Sequence, residues 1–79
     1  MKKDKSYNGH PSFNAWNVSL WINNDERIYK HARAFAYVAP TLDEASKWCL
    51  EWLLLESTRT PDGVPWTITN VRRALRDIS

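Results

Sequence analysis

The spacing of apolar positions changes along the chain and divides it into segments. In residues 15–22, AWNVSLWI, Trp16, Val18, Leu20 and Ile22 alternate with Asn17, Ser19 and Trp21. That is the period of two of a strand running into an Asn23-Asn24 turn. The same letters also fit a helix: Phe13, Trp16 and Leu20 line one side, Val18, Trp21 and Ile22 another, and Ser12 stands where an N-cap belongs. Alternation alone favours the strand by a small margin.

From Asp25 onward the period lengthens. Ile28, Ala32, Phe35 and Ala36 recur at i, i+4, i+7 and i+8, the stripe of an amphipathic helix over residues 25–38. Asn24 is the expected cap, with Asp25 and Glu26 set against the N-terminal dipole. Pro40 limits the far end, because it drives the preceding residue out of helical geometry. Thr41 and Glu44, three apart, form a capping box for a third helix over residues 42–57. Its main face is Leu42, Ala45, Cys49, Trp52 and Leu53, while Leu50 and Leu54 lie well off that face. Such a helix is either central or presents a second stripe to a partner. Thr60-Pro61-Asp62-Gly63 reads as a turn. A last helix, 67–78, places Ile68, Val71, Leu75 and Ile78 on one side and Arg72, Arg73 and Arg76 on another. Residues 1–12, with charges, Asn-Gly and a proline, read as a flexible leader, which leaves 13–79 as a single helical domain. The expected core is Trp16, Leu20, Phe35, Trp48, Cys49, Trp52, Leu53, Val71 and Leu75.

Two stretches carry a resemblance. Tyr7-Asn8-Gly9, the run from Trp16 through Glu26 (WNVSLWINNDE) and Tyr29 resemble the signature of a family of small uncharacterised proteins of phages and mobile elements. Thr60-Pro61-Asp62-Gly63, with Thr69, Val71, Arg72, Ala74 and Leu75, is similar to that family's C-terminal half. Ala15 and His10 depart from the pattern, in which a polar residue and an aromatic are common at those places. The resemblance implies a helix over residues 13–23, against the alternation, and a phage accessory context; it brings no catalytic residue. The fold expected is therefore all-α, a small single-domain bundle of about four helices. The alternative is α+β, with an N-terminal β-hairpin over residues 15–38.

Composition bounds what such a domain can do. Seventy-nine residues support one core. With 43% hydrophobic and 25% charged residues, two glycines and four prolines, the chain is globular in type, and five tryptophans enlarge a small core efficiently. A formal charge of +2 suits neither a DNA mimic nor a dedicated DNA-binding domain. Cys49 is the lone cysteine, so no internal disulfide forms, as a reducing cytosol permits. No apolar run approaches a membrane span, and the opening Met-Lys-Lys-Asp-Lys lacks the apolar stretch of a signal peptide. A cytoplasmic location and no membrane partner are expected.

Candidate chemistry is sparse. Cys49 on an apolar face, with His10 and His31 on separate segments, does not assemble nucleophile, base and orienter. The two histidines have no ligand spacing, so no metal and no cofactor are expected. Asp25-Glu26 and Asp43-Glu44 each open a helix, and dipole compensation accounts for them. Gly9 and Gly63 are too far apart for a phosphate loop. The strongest surface feature is the basic flank Arg72, Arg73 and Arg76, with Arg59, Lys2, Lys3 and Lys5 as possible additions. Trp21, Leu50 and Leu54 complete the candidate partner-binding set. The expectation is a non-enzymatic phage or mobile-element accessory protein that binds a host protein or defence complex, as an anti-CRISPR or anti-restriction inhibitor does. A small nucleic-acid-binding or regulatory protein using the basic C-terminal face is the alternative, and a homodimer is a further option.

Overall fold

Hydroxyl and carboxylate caps set the limits of the helices in this computed structural model. The structure describes residues 11–78, so the expected leader lies, apart from its last two residues, outside the described residues. Helix α1, Phe13–Asn24, begins where Ser12 Oγ accepts the Ala15 amide at 3.1 Å. Asp25 then serves two helices. Its amide donates to the Trp21 carbonyl at 3.1 Å and closes α1, and its Oδ1 accepts the Ile28 amide at 3.1 Å and opens α2, Glu26–Val38. Asn24, the expected cap, is instead the last residue of α1. The extra helical residue sets a charged carboxylate at the α2 cap, where the dipole favours it.

Ala39 is extended (φ −69°, ψ 145°), as the residue before Pro40 must be. Helix α3, Leu42–Leu54, starts with Thr41 Oγ1 accepting the Glu44 amide at 3.1 Å. The carboxylate of Glu44 lies 3.8 Å from Lys47 Nζ. The helix stops three residues before its expected end, because the amides of Leu55, Glu56 and Ser57 fold back on the Trp52 and Leu53 carbonyls in turns. After a loop, α4 runs Ile68–Ile78, with Thr67 Oγ1 accepting the Asn70 amide at 3.3 Å.

Among the described residues the fold is thus all-α, and the β-hairpin over residues 15–38 is overturned. Extended pairing is confined to one isolated bridge, Arg59 with Pro65. The alternation at 15–22 misleads for a physical reason. Ala15, Val18, Ser19 and Ile22 face the core, Asn17 is buried beside them, and Trp21 packs at the margin. A helix that uses so much of its circumference loses the polar and apolar contrast of period 3.6.

Helix α4 packs against the other three, and α2 also touches α1 and α3. The core joins Val18 and Ile22 of α1, Ile28 and Ala32 of α2, Ala45, Cys49 and Leu53 of α3, and Val71, Ala74 and Leu75 of α4. Alanines at the crossings let helices approach closely. Cys49, Leu53, Val71 and Leu75 are buried as expected. Phe35 and Trp52 are only partly buried, as are Trp16 and Leu20, and Trp48 stands 38% exposed on the outer side of α3. Their place in the core is taken by Val64 and Trp66 of the α3–α4 loop, the latter 8% exposed.

Candidate functional site

The loop that carries Trp66 is fixed by a polar cluster built from residues of α1 and of the Thr60–Gly63 turn. Thr60-Pro61-Asp62-Gly63 forms a turn closed by the Gly63 amide donating to the Thr60 carbonyl at 2.8 Å, with Gly63 at φ 90°, where glycine meets no side-chain penalty. Thr60 Oγ1 accepts the amides of Asp62 (3.2 Å) and Val64 (3.1 Å), and donates to Asn17 Oδ1 at 2.7 Å. Asn17 Nδ2 and Trp21 Nε1, one turn apart on α1, both donate to Asp62 Oδ2, at 2.8 and 2.9 Å. These two donors, Asn17 foremost and then Trp21, hold the Asp62 carboxyl below its ordinary range. Asn17, 1% exposed, has both ends of its amide engaged. The stretch is therefore a lock between α1 and the loop, with Asn17 and the Thr60 hydroxyl engaged inside the fold.

The surface with capacity to spare lies across α2 and α3. Arg27 and His31, one turn apart on α2, both lie over the indole of Trp52: the guanidinium carbon is 5.4 Å from the ring centroid, and the imidazole is stacked at 4.1 Å and 14°. Phe35, a further turn along, meets the same indole edge-on at 6.4 Å and 62°. Glu56 Oε1 accepts from Arg27 Nη2 at 2.6 Å and anchors the guanidinium. The Arg27 carbonyl accepts from His31 Nδ1 at 2.9 Å, which leaves Nε2 as the unused ring nitrogen. Between this ridge and the locked loop opens a cleft of about 220 Å³, bordered by Asp25, Arg27, Trp52, Glu56, Arg59 and Pro61. Its volume is below the roughly 300–1,000 Å³ of small-molecule sites and suits a single side chain. Leu55, 82% exposed, and Leu54, 42% exposed, end α3 next to Glu56 in the chain.

A family model described as a family of unknown function, DUF7249, matches residues 3–78. The chain belongs to that family. No curated protein and no solved structure matches it.

In this member of the family, the sequence-predicted site residues do not converge on one surface. Trp21 is partly buried against the core and gives its indole N–H to Asp62. Leu50 also packs on the core from α3, whereas Leu54 is exposed. Arg72 is tied to the Asp43 carboxylate of α3 through its Nε at 2.5 Å. Arg73 is partly buried, and Arg76 lies exposed toward the end of α4. Lys2, Lys3, Lys5 and His10 lie outside the described residues. What sequence reasoning missed is the ridge itself. Its available signal was i, i+4, i+8 spacing of Arg27, His31 and Phe35, three residues able to cover one aromatic ring.

Chemically, the described residues offer little for covalent work. Burial pushes the Cys49 thiol up to about 12, so it stays protonated at neutral pH and is not an activated nucleophile. No group of three metal-ligating side chains occurs among the described residues. No helix there is long and apolar enough to cross a membrane.

Proposed function

We propose that this protein is a non-enzymatic accessory protein of a phage or mobile element that binds a host protein, with a defence complex of the CRISPR or restriction type as its target. The observation that carries the reading is the open ridge of Arg27, His31, Phe35 and Trp52 beside a cleft sized for one side chain. Tryptophan and arginine around a pocket are the residues that dominate binding energy at protein interfaces. Exposed Trp48 of α3 and Leu55 at its C-cap supply apolar area. The phage context comes from the signature run at residues 16–26, and with it the host cytosol as the place of action.

Affinity capture of the tagged protein from a bacterial host, with and without nuclease, tests the reading. A nuclease-resistant protein partner is expected, lost on Leu55→Glu and on Arg27→Glu. Plaque counts in a host carrying an active defence system should fall with the same two substitutions. Capture and plaque counts unaffected by both would overturn it.

A further inference from the structure

Another side of α2 is loaded with different chemistry. Tyr29, Lys30, Arg33, Ala34 and Tyr37 border one shallow groove along the outer side of the helix. Tyr29, Arg33 and Tyr37 follow at intervals of four, so a cation stands between two phenol rings along about 12 Å of helix axis. Tyr37 is 90% exposed. Arg27, Lys47 and Arg72 are paired with Glu56, Glu44 and Asp43, but Lys30 and Arg33 have no ion pair or side-chain hydrogen bond among the described residues. The single acid of α2 is Glu26, in its first turn. The groove itself is therefore lined by two cations and no acid, with Glu26 one turn away from Lys30, and its aromatic side offers Tyr37 open to water and Tyr29 half-buried.

We propose that this face of α2 binds single-stranded nucleic acid, with bases stacking on Tyr37 and Tyr29 and phosphates held by Lys30 and Arg33. Charge alone would also suit an acidic peptide. The rings decide between them: an acidic chain uses the two cations and leaves an almost fully exposed phenol idle, whereas a single strand offers an anion and a π-face at every residue. A duplex keeps its base faces stacked inside and cannot use the rings in that way. The inference is independent of the Arg27–Trp52 ridge, since it rests on other residues of the same helix.

Fluorescence anisotropy of the full chain with a labelled oligothymidylate tests it, with circular dichroism confirming that each variant folds. Binding should weaken with salt along a log–log slope near −1.4, about 0.7 for each of two phosphates. The double variant Lys30→Glu, Arg33→Glu should bind at least about tenfold more weakly, and Tyr37→Ala at least about fivefold. Lys47→Glu, a charge reversal at an exposed position of α3, should bind as the parent does. Absence of binding at low salt, or parental affinity in the double variant, would overturn the proposal. So would equal affinity for a duplex of the same length, or for polyglutamate, with no loss in Tyr37→Ala.

Discussion

Two aromatic and polar clusters in this small domain are built from similar residues and spend them differently. At the lock, Asn17, Trp21, Thr60 and Asp62 bond to one another, and the amide of Asn17 is buried with both its ends engaged. At the ridge, Trp52 is held by ring faces and a guanidinium, its ion pair is open to water, and a cleft lies beside it. The difference separates two meanings of a sequence signature. Residues that are distinctive because they fasten the chain to itself are poor candidates for partners. Half-open ones with unused faces are better candidates.

The contrast can be broken by substitution, beginning where the largest effect is expected. Trp66→Ala removes the indole that the lock holds over the core and should cost about 3–5 kcal/mol in denaturant unfolding. Trp48→Ala should cost much less; comparable losses would erase the distinction between inner and outer tryptophans. Asn17→Ala leaves Thr60 without its α1 partner and Asp62 with Trp21 alone, and should cost about 1–3 kcal/mol, and combining it with Thr60→Val should cost less than the sum. Full additivity would show that the two do not act as one unit. Trp52→Ala, half-buried, should cost only about 1–2 kcal/mol, and a larger loss would move the ridge into the core. The smallest effect concerns pH. The folded-state carboxyl of Asp62 is depressed, so its contribution is present above the ordinary carboxylate range and is lost as pH falls through the folded value. Asp62→Asn should remove that part of the acid dependence, read as a flatter fall of Tm on acidification; an unchanged profile would remove Asp62 from the account.

Much of the helical frame was legible in the residues. Caps at Ser12 and Thr41, the stripe Ile28-Ala32 and the break at Pro40 place α1 to α3 within a few residues of their observed limits, because each signal is local. The loop was legible only as a turn. Trp66 follows Pro65 and belongs to no periodic run, so nothing in its neighbours shows that it turns inward. The lock joins positions 45 apart, a pairing that depends on how α4 and the loop lie against α1. The two stretches that carry the resemblance hold both halves of it, Asn17 with Trp21 and Thr60 with Asp62, although their adjacency needs the fold. Trp52 lies on the apolar stripe of α3 and packs against the core at its margin, whereas Trp48, off that stripe, stands exposed.

The shared Thr60 hydroxyl also gives the loop a built-in timer. The Val64 amide is protected by a side-chain oxygen that is itself held by a residue of α1, so solvent deuterium reaches that amide only when the loop swings away. The neighbouring Thr60 amide is bonded to the Val64 carbonyl at 2.7 Å within the same turn and is released only when the turn itself opens. The exchange rates of these two amides therefore report how often this turn comes undone while the helices stay in place.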